Sequence, residues 1–483
     1  MNSLTVPYLV AATPQHRTAT WKDRATLWTV TVIVLWGVAS FGAVYDWGRM
    51  PLLLSSGIAG FALLVWTSRR EWTAIGVGAG ILSAIAVQVL PLPAGLVTAL
   101  SSSASVASRY QVGAAPTASM SLLSVAPGET ITVVLQLAAL LLLSLGLSSW
   151  LRSTRDSVSA FARNASVIAA AIAIEAIVQQ GTFNGKIYWF WTADGGTWGT
   201  NNYFGPFVNR NHFAGWMILA SALAAGRLAA QAAVAGARVK PGWRNRILWF
   251  STPEAAGLTL TACALLIMLI SLVWTMSRSG IAGCAVALLV VTLAAAARTT
   301  GGARRLFVPL VIVALLGAGV ASKGAGTLTS WYATTDTLQW RFNQWHDAMA
   351  LLRDFWVTGS GLGTYGILTL IYPQTDITVH AAQAHNDYLQ LAVEGGLLVG
   401  IPVLIAIAAL VRTIVKRLRT PQDERTWWIR LGAVAGIAGI AVQEITDFSL
   451  QIPGVAVLFA VVVAIAIHEP APVSQKRDRL SRA

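Results

Sequence analysis

Apolar runs long enough to cross a bilayer as helices, about 17–25 residues each, recur along nearly the whole chain. Twelve can be drawn, at residues 27–44, 50–67, 72–90, 130–150, 158–179, 211–232, 256–275, 279–297, 306–322, 386–411, 430–446 and 453–468. Helices this apolar on every side find a place only in lipid and against one another. Composition agrees: 55% of residues are hydrophobic and 11% charged, against roughly 25% charged in an ordinary soluble domain. The expected fold class is an all-α integral membrane protein with about twelve transmembrane helices. Cys263 and Cys284 both lie inside apolar runs, which excludes a disulfide framework and a cysteine-based metal site.

The net charge of +14 is explained by topology rather than by nucleic acid. With the N-terminus in the cytoplasm, 26 of the 34 Lys and Arg residues fall on cytoplasmic connections and 8 on outer ones. The positive-inside rule predicts that bias, and the inverted orientation would violate it at almost every loop. The organisation expected is therefore a cytoplasmic tail over 1–26, nine helices over 27–322 with outer loops 91–129 and 181–210, and a large periplasmic loop over 323–385. Three more helices follow over 386–468, then a basic cytoplasmic tail over 469–483. The first run is too long for a signal-peptide core, and a second follows after about six residues, so it is expected to stay as an uncleaved anchor. No internal repeat is visible, which weighs against a transporter built from inverted halves.

Loops 181–210 and 323–385 are rich in Trp, and long loops of that kind are functional more often than disordered. The eight outer cations stand against the topological bias. Arg278 sits in a tight connection, Trp274-Thr275-Met276-Ser277-Arg278-Ser279-Gly280, where it either supplies a fixed positive charge or snorkels to the headgroups. Asn209, Arg210, Asn211 and His212 open a helix. Backbone N–H groups and the helix dipole favour an anion there, and the guanidinium fork suits phosphate oxygens; a capping cluster touching headgroups is the alternative. His385 stands at the mouth of a helix, where positive potential would keep its imidazole neutral and able to accept a proton, although a histidine at a membrane boundary is often structural. Glu394 lies nine residues deeper, where a carboxylate is functional or, more often, pairs with a buried partner, and Gly395, Gly396 and Gly400 would permit close helix packing. Arg341 and Arg353 flank Trp345-His346-Asp347 and fit loop salt bridges or further anion contacts equally well. Glu175 with Gln179 and Gln180, and Gln443 with Glu444, read as structural polar pairs. No nucleotide loop, zinc spacing or paired-Asp motif is present, so no cofactor and no metal are expected.

Taken in order, these segments resemble the O-antigen ligase and O-antigen polymerase superfamily. The residues that carry the likeness are Asn209-Arg210-Asn211-His212-Phe213-Ala214-Gly215, Ser277-Arg278-Ser279-Gly280, Gly359-Ser360-Gly361-Leu362-Gly363-Thr364-Tyr365, His385-Asn386-Asp387-Tyr388-Leu389-Gln390 with Glu394-Gly395-Gly396, and Asp447-Phe448-Ser449-Leu450-Gln451-Ile452-Pro453. The resemblance covers roughly residues 200 to 465 and implies a multi-spanning, C-type membrane glycosyltransferase of the bacterial inner membrane. Its donor would be a glycan on undecaprenyl diphosphate, presented at the periplasmic leaflet. Its acceptor would be a glycan, lipid-linked or not, with membrane lipids and polysaccharide-assembly proteins as further partners and no nucleic acid. Carried over by position, His385 and Arg278 are the expected catalytic pair. His385 would activate the acceptor hydroxyl and Arg278 would meet the donor diphosphate. Arg210, Asn209, His212, Arg341 and Arg353 are the expected binding residues. Polymerisation of repeat units is favoured over transfer to lipid A–core, and a lipid or glycan transporter is the competing class.

Overall fold

The computed structural model describes residues 20–67, 71–101, 120–152, 156–193, 203–238, 243–298, 336–376 and 380–469, with a few isolated positions between 314 and 321. Within them lie α1 (Trp21–Ala39), α2 (Asp46–Trp66), α3 (Trp72–Val87), α4 (Ala94–Leu100), α5 (Pro127–Leu151), α6 (Ser157–Gly181), α7 (Arg210–Arg238), α8 (Trp243–Phe250) and α9 (Pro253–Trp274). The series continues with α10 (Arg278–Arg298), α11 (Asp336–Phe355), α12 (Tyr365–Ile371), α13 (Asp387–Arg419), α14 (Glu424–Gln443) and α15 (Pro453–Ile467). Two-residue strands, β1 (Leu92–Pro93) and β2 (Met120–Ser121), pair antiparallel.

Apart from that short strand pair the described elements are helical, and among the described residues seven helices are long and apolar enough to cross a membrane: α2, α5, α6, α7, α9, α10 and α13. Shorter apolar helices are α3 and α15. Two more of the twelve apolar runs, 27–44 and 430–446, fall on α1 and α14, which are not among those spans, so that eleven runs coincide with helices. The ninth run, 306–322, lies outside the described residues apart from isolated positions, as do most of both tails and parts of loops 91–129, 181–210 and 323–385.

Helix α7 is the axis of the bundle. Its Phe213, Ala214, Met217, Ile218, Leu219 and Ala220 are all buried, with α14, α9, α10 and α6 packed around it. Small residues set the spacing, as expected where lipid gives no hydrophobic drive to helix pairing. A Cβ on Gly432 would stand 2.5 Å from the Ala222 carbonyl oxygen, so α14 reaches α7 only because that position carries none. At one end of the bundle buried Arg430 donates to the carbonyls of Ala466 and His468, both at 2.8 Å. Arg417 donates to the Ile467 carbonyl and to Glu71. These cations meet the otherwise unpaired carbonyls at the end of α15.

The opposite end gathers the starts of α7, α10, α13 and α15 with the finish of α14. Above it lies the described part of the long loop, which the sequence shows only as an ordered, aromatic segment. It contains α11 and α12, joined by a small core of Ala348, Leu351, Phe355, Tyr365, Leu368 and Val393.

Candidate active site

Three helix N-termini are built next to one another by local capping. Asn209 caps α7, its side-chain oxygen accepting from the Asn211 amide at 2.9 Å. Ser277 caps α10, its hydroxyl accepting from the Gly280 amide at 3.2 Å. Asn386 caps α13, accepting from the Leu389 amide at 3.0 Å. Gly280 then decides how near α10 comes to α7, because a Cβ there would sit 2.5 Å from the Ala214 Cβ. That contact is one turn from Arg210, so the first residues of the two helices, Arg210 and Arg278, share one corner.

The third arginine arrives from the loop. Arg341 on α11 lies 3.7 Å from the fully buried carboxylate of Asp447 in the connection between α14 and α15. The charges of Arg278 and Arg341 both act on Arg210, and that of Arg278 acts on Arg341. Burial depresses the Arg341 pKa most, Asp447 opposes that shift, and Arg278 adds to it. Burial also raises Asp447 to about 6, against the pull of Arg341, the Phe448 amide and the Asn211 side chain.

His385 stands beside these cations with a backbone φ of +48°, a left-handed conformation that a non-glycine residue adopts only where its surroundings hold it. Its ring meets Trp340 edge-on at 5.3 Å and Phe448 at 4.9 Å. Phe448 in turn meets His212 at 4.7 Å. The Nδ1 atom of His385 is buried and meets no hydrogen-bond partner among the described residues. Burial first, and the Arg341 charge second, pull its pKa down to about 3. The sequence reading assigned a neutral imidazole to helix and arginine potential; burial is the larger cause. A histidine at its ordinary pKa loses half its basic form by about pH 6.5. Here the basic form persists far below that, so the single-turnover rate is expected to stay level between about pH 6.5 and about pH 8. A decline to half near pH 6.5 that disappears in His385→Gln would contradict this.

Behind His385 the backbone is held by Glu394. Its carboxylate accepts from the amides of Gly363 and Tyr365, both at 2.9 Å, and from Gln390 at 3.1 Å. Gln390 also receives the Ala384 amide at 3.0 Å, so the chain on both sides of His385 is fixed. The run from Gly359 to Tyr365 enters a break in α13 at Gly396, where φ is +54°. A Cβ on Gly396 would lie 2.4 Å from the Gly359 amide nitrogen. Amides freed by the break, Leu397 and Leu398, donate to the carbonyls of Trp356 and Val357. Gln88 closes the far side, donating to the carbonyls of Thr358 and Glu394 and accepting from the Leu362 amide. Irregular backbone at this depth needs all its polar groups met by protein. Glu394→Ala is expected to lower stability by about 3–5 kcal/mol, since it strands buried amides. Glu394→Gln, which keeps one acceptor, is expected to lose less. Detergent thermal-unfolding midpoints of the two variants check this order.

Residues 263–404 match the family model described as O-antigen ligase. The match supports the superfamily resemblance and contains Arg278, Arg341, His385 and Glu394. No match is found among curated proteins.

Of the residues singled out from sequence, the structure brings Asn209, Arg210, His212, Arg278, Arg341 and His385 to one end of the bundle. It separates Arg353 from them. That side chain is exposed, and twelve residues along α11 from Arg341 place it about 18 Å away at about 1.5 Å per residue. The two polar pairs are also rearranged. Gln179 bonds to the Gly205 carbonyl and the Tyr188 amide, and Gln443 to the Asn211 carbonyl and Ser449. Sequence reasoning did not single out Asp447, Phe448 or Trp340 as parts of the site. A buried aspartate just before a proline-started helix was the available signal.

Proposed function

We propose that the chain transfers a glycan from undecaprenyl diphosphate to an acceptor sugar hydroxyl at the periplasmic face, inverting the anomeric centre without a metal. The observation that carries this is the meeting of Arg210, Arg278 and Arg341 beside a neutral His385. Three guanidinium groups that raise one another's energy are relieved by an anion, and their planar forks suit a diphosphate. Two of them lie on helix N-termini, whose dipoles favour the same charge.

In the reaction His385 accepts the proton of the acceptor hydroxyl. The acceptor oxygen forms its bond to the anomeric carbon as the bond to the diphosphate oxygen breaks. Undecaprenyl diphosphate leaves with the added charge stabilised by the arginines, where partial exclusion of water makes each fork worth more. Trp340, against the His385 ring, offers an aromatic face to a sugar. The substrate already carries a good leaving group, so no energy source is added.

Polymerisation of an O-antigen or exopolysaccharide repeat is the reading favoured by the Asn209–Gly215 opening. The alternative is an O-antigen ligase, the words in which the matched family model is described, which would transfer the glycan to lipid A–core. Both need the site outside the cytoplasm. Reporter fusions after residues 195 and 350 are expected to read periplasmic, and those after 240 and 420 cytoplasmic. A cytoplasmic signal at 350 would part the site from its substrate.

A further inference from the structure

At the end of the bundle away from His385, α6, α7, α8, α9 and α14 line a half-open cavity of about 500 Å³. From Arg210 to Arg227 along α7 is about 25 Å at about 1.5 Å per residue, so the two sites are separate.

One side of this cavity is cationic. Half-buried Arg227 donates to the Ser159 carbonyl at 3.3 Å, and the charges of Arg425 and Arg163 both act on it. Arg425 lines the same space from the first turn of α14. One turn beyond Arg227, Gln231 has a buried side-chain oxygen with no hydrogen-bond partner among the described residues, an acceptor suited to a hydroxyl of a lipid headgroup and not to a phosphate oxygen. Glu254 also lines the cavity, leaving two lining cations against one carboxylate.

The other side is hydrocarbon, formed by Val234, Leu248 and Ile429. It continues onto α8, which leaves Trp243, Ile247, Leu248 and Phe250 each between 59% and 68% exposed. A short helix with that much outward apolar surface and an Arg244 guanidinium stacked on Trp243 suits the boundary between headgroups and acyl chains.

The occupant must therefore carry a compact anion for two guanidinium groups and hydrocarbon that can leave along α8. We infer that this cavity binds the phosphate headgroup of an anionic membrane lipid, with the acyl chains lying against α8. A free phosphate would satisfy the arginines but leave the apolar wall uncovered. The inference is independent of the glycosyl-transfer reading, because it uses none of the same residues.

The test is native mass spectrometry of the full-length protein in detergent, titrated with phosphatidylglycerol or phosphatidylcholine. A parallel thermal-unfolding series uses each lipid and inorganic phosphate. Phosphatidylglycerol is expected to be retained about tenfold more strongly than phosphatidylcholine, and that preference is expected to fall severalfold in Arg425→Gln and to vanish in Arg227→Gln/Arg425→Gln. Arg425 is exposed, so its single variant reports on the site without threatening the fold. Arg419→Gln, an exposed cation that does not line the cavity, is expected to behave as wild type. Equal retention of the two lipids, or an undiminished preference in Arg425→Gln, would overturn the proposal. So would stabilisation by inorganic phosphate as large as that by phosphatidylglycerol, which would assign the cavity to a soluble anion.

Discussion

Replacing His385 with alanine is expected to cut glycan transfer by about 10²–10⁴, the contribution of a positioned general base, while donor binding stays nearly intact. The split follows from geometry. His385 sits beside the arginine cluster, packed between Trp340 and Phe448, and a neutral imidazole there would add no positive charge toward the proposed diphosphate. On the proposed mechanism, loss of the ring removes the proton acceptor and spares the anion contacts. Single-turnover transfer and donor binding, measured separately on the same preparation, check both halves. Weak donor binding with a normal rate for bound donor would make His385 a positioning residue instead.

Arg278→Lys is expected to lower transfer by about 10²–10³, in the range found when one donor to a developing oxyanion is removed. Lysine keeps the charge but not the planar fork, and at the tightly packed start of α10 it cannot regain the second contact. Arg278→Ala should be at least as severe, with insertion unaffected. The readout is polymer or conjugate formed by equal amounts of inserted protein. Normal product from the alanine variant would mean that Arg278 only reaches headgroups.

The difference between His385 and Glu394 shows where sequence reasoning reached and where it stopped. Apolar runs of bilayer length are local, so eleven helices could be placed from hydropathy, and the cations that oppose the inside bias pointed to Arg210, Arg278 and Arg341. Caps at Asn209, Ser277 and Asn386 are local too. What the sequence did not disclose is non-local. Glu394 and the neighbouring glycines read as helix packing, whereas Gly396 breaks α13 and Glu394 binds the inserted Gly359–Tyr365 segment. That pairing joins residues about thirty positions apart and has no signature in periodicity. Arg341 and Arg353 looked alike in sequence, as two cations flanking Trp345-His346-Asp347, but α11 carries them to different levels. Asp447 was quoted only within a motif, and its contact with Arg341 crosses from a loop helix to the connection before α15.

The most direct test of the central claim is transfer by the purified protein in detergent, with EDTA present, from a defined undecaprenyl-diphosphate glycan to an acceptor glycan. Product linkage would be read by nuclear magnetic resonance. The account predicts a new glycosidic bond of inverted anomeric configuration, release of undecaprenyl diphosphate, and loss of product in His385→Ala. Retained configuration, or tight donor binding with no bond formed to glycan or lipid A–core acceptors, would contradict it; the second result would favour a protein that carries its lipid-linked ligand without reacting it.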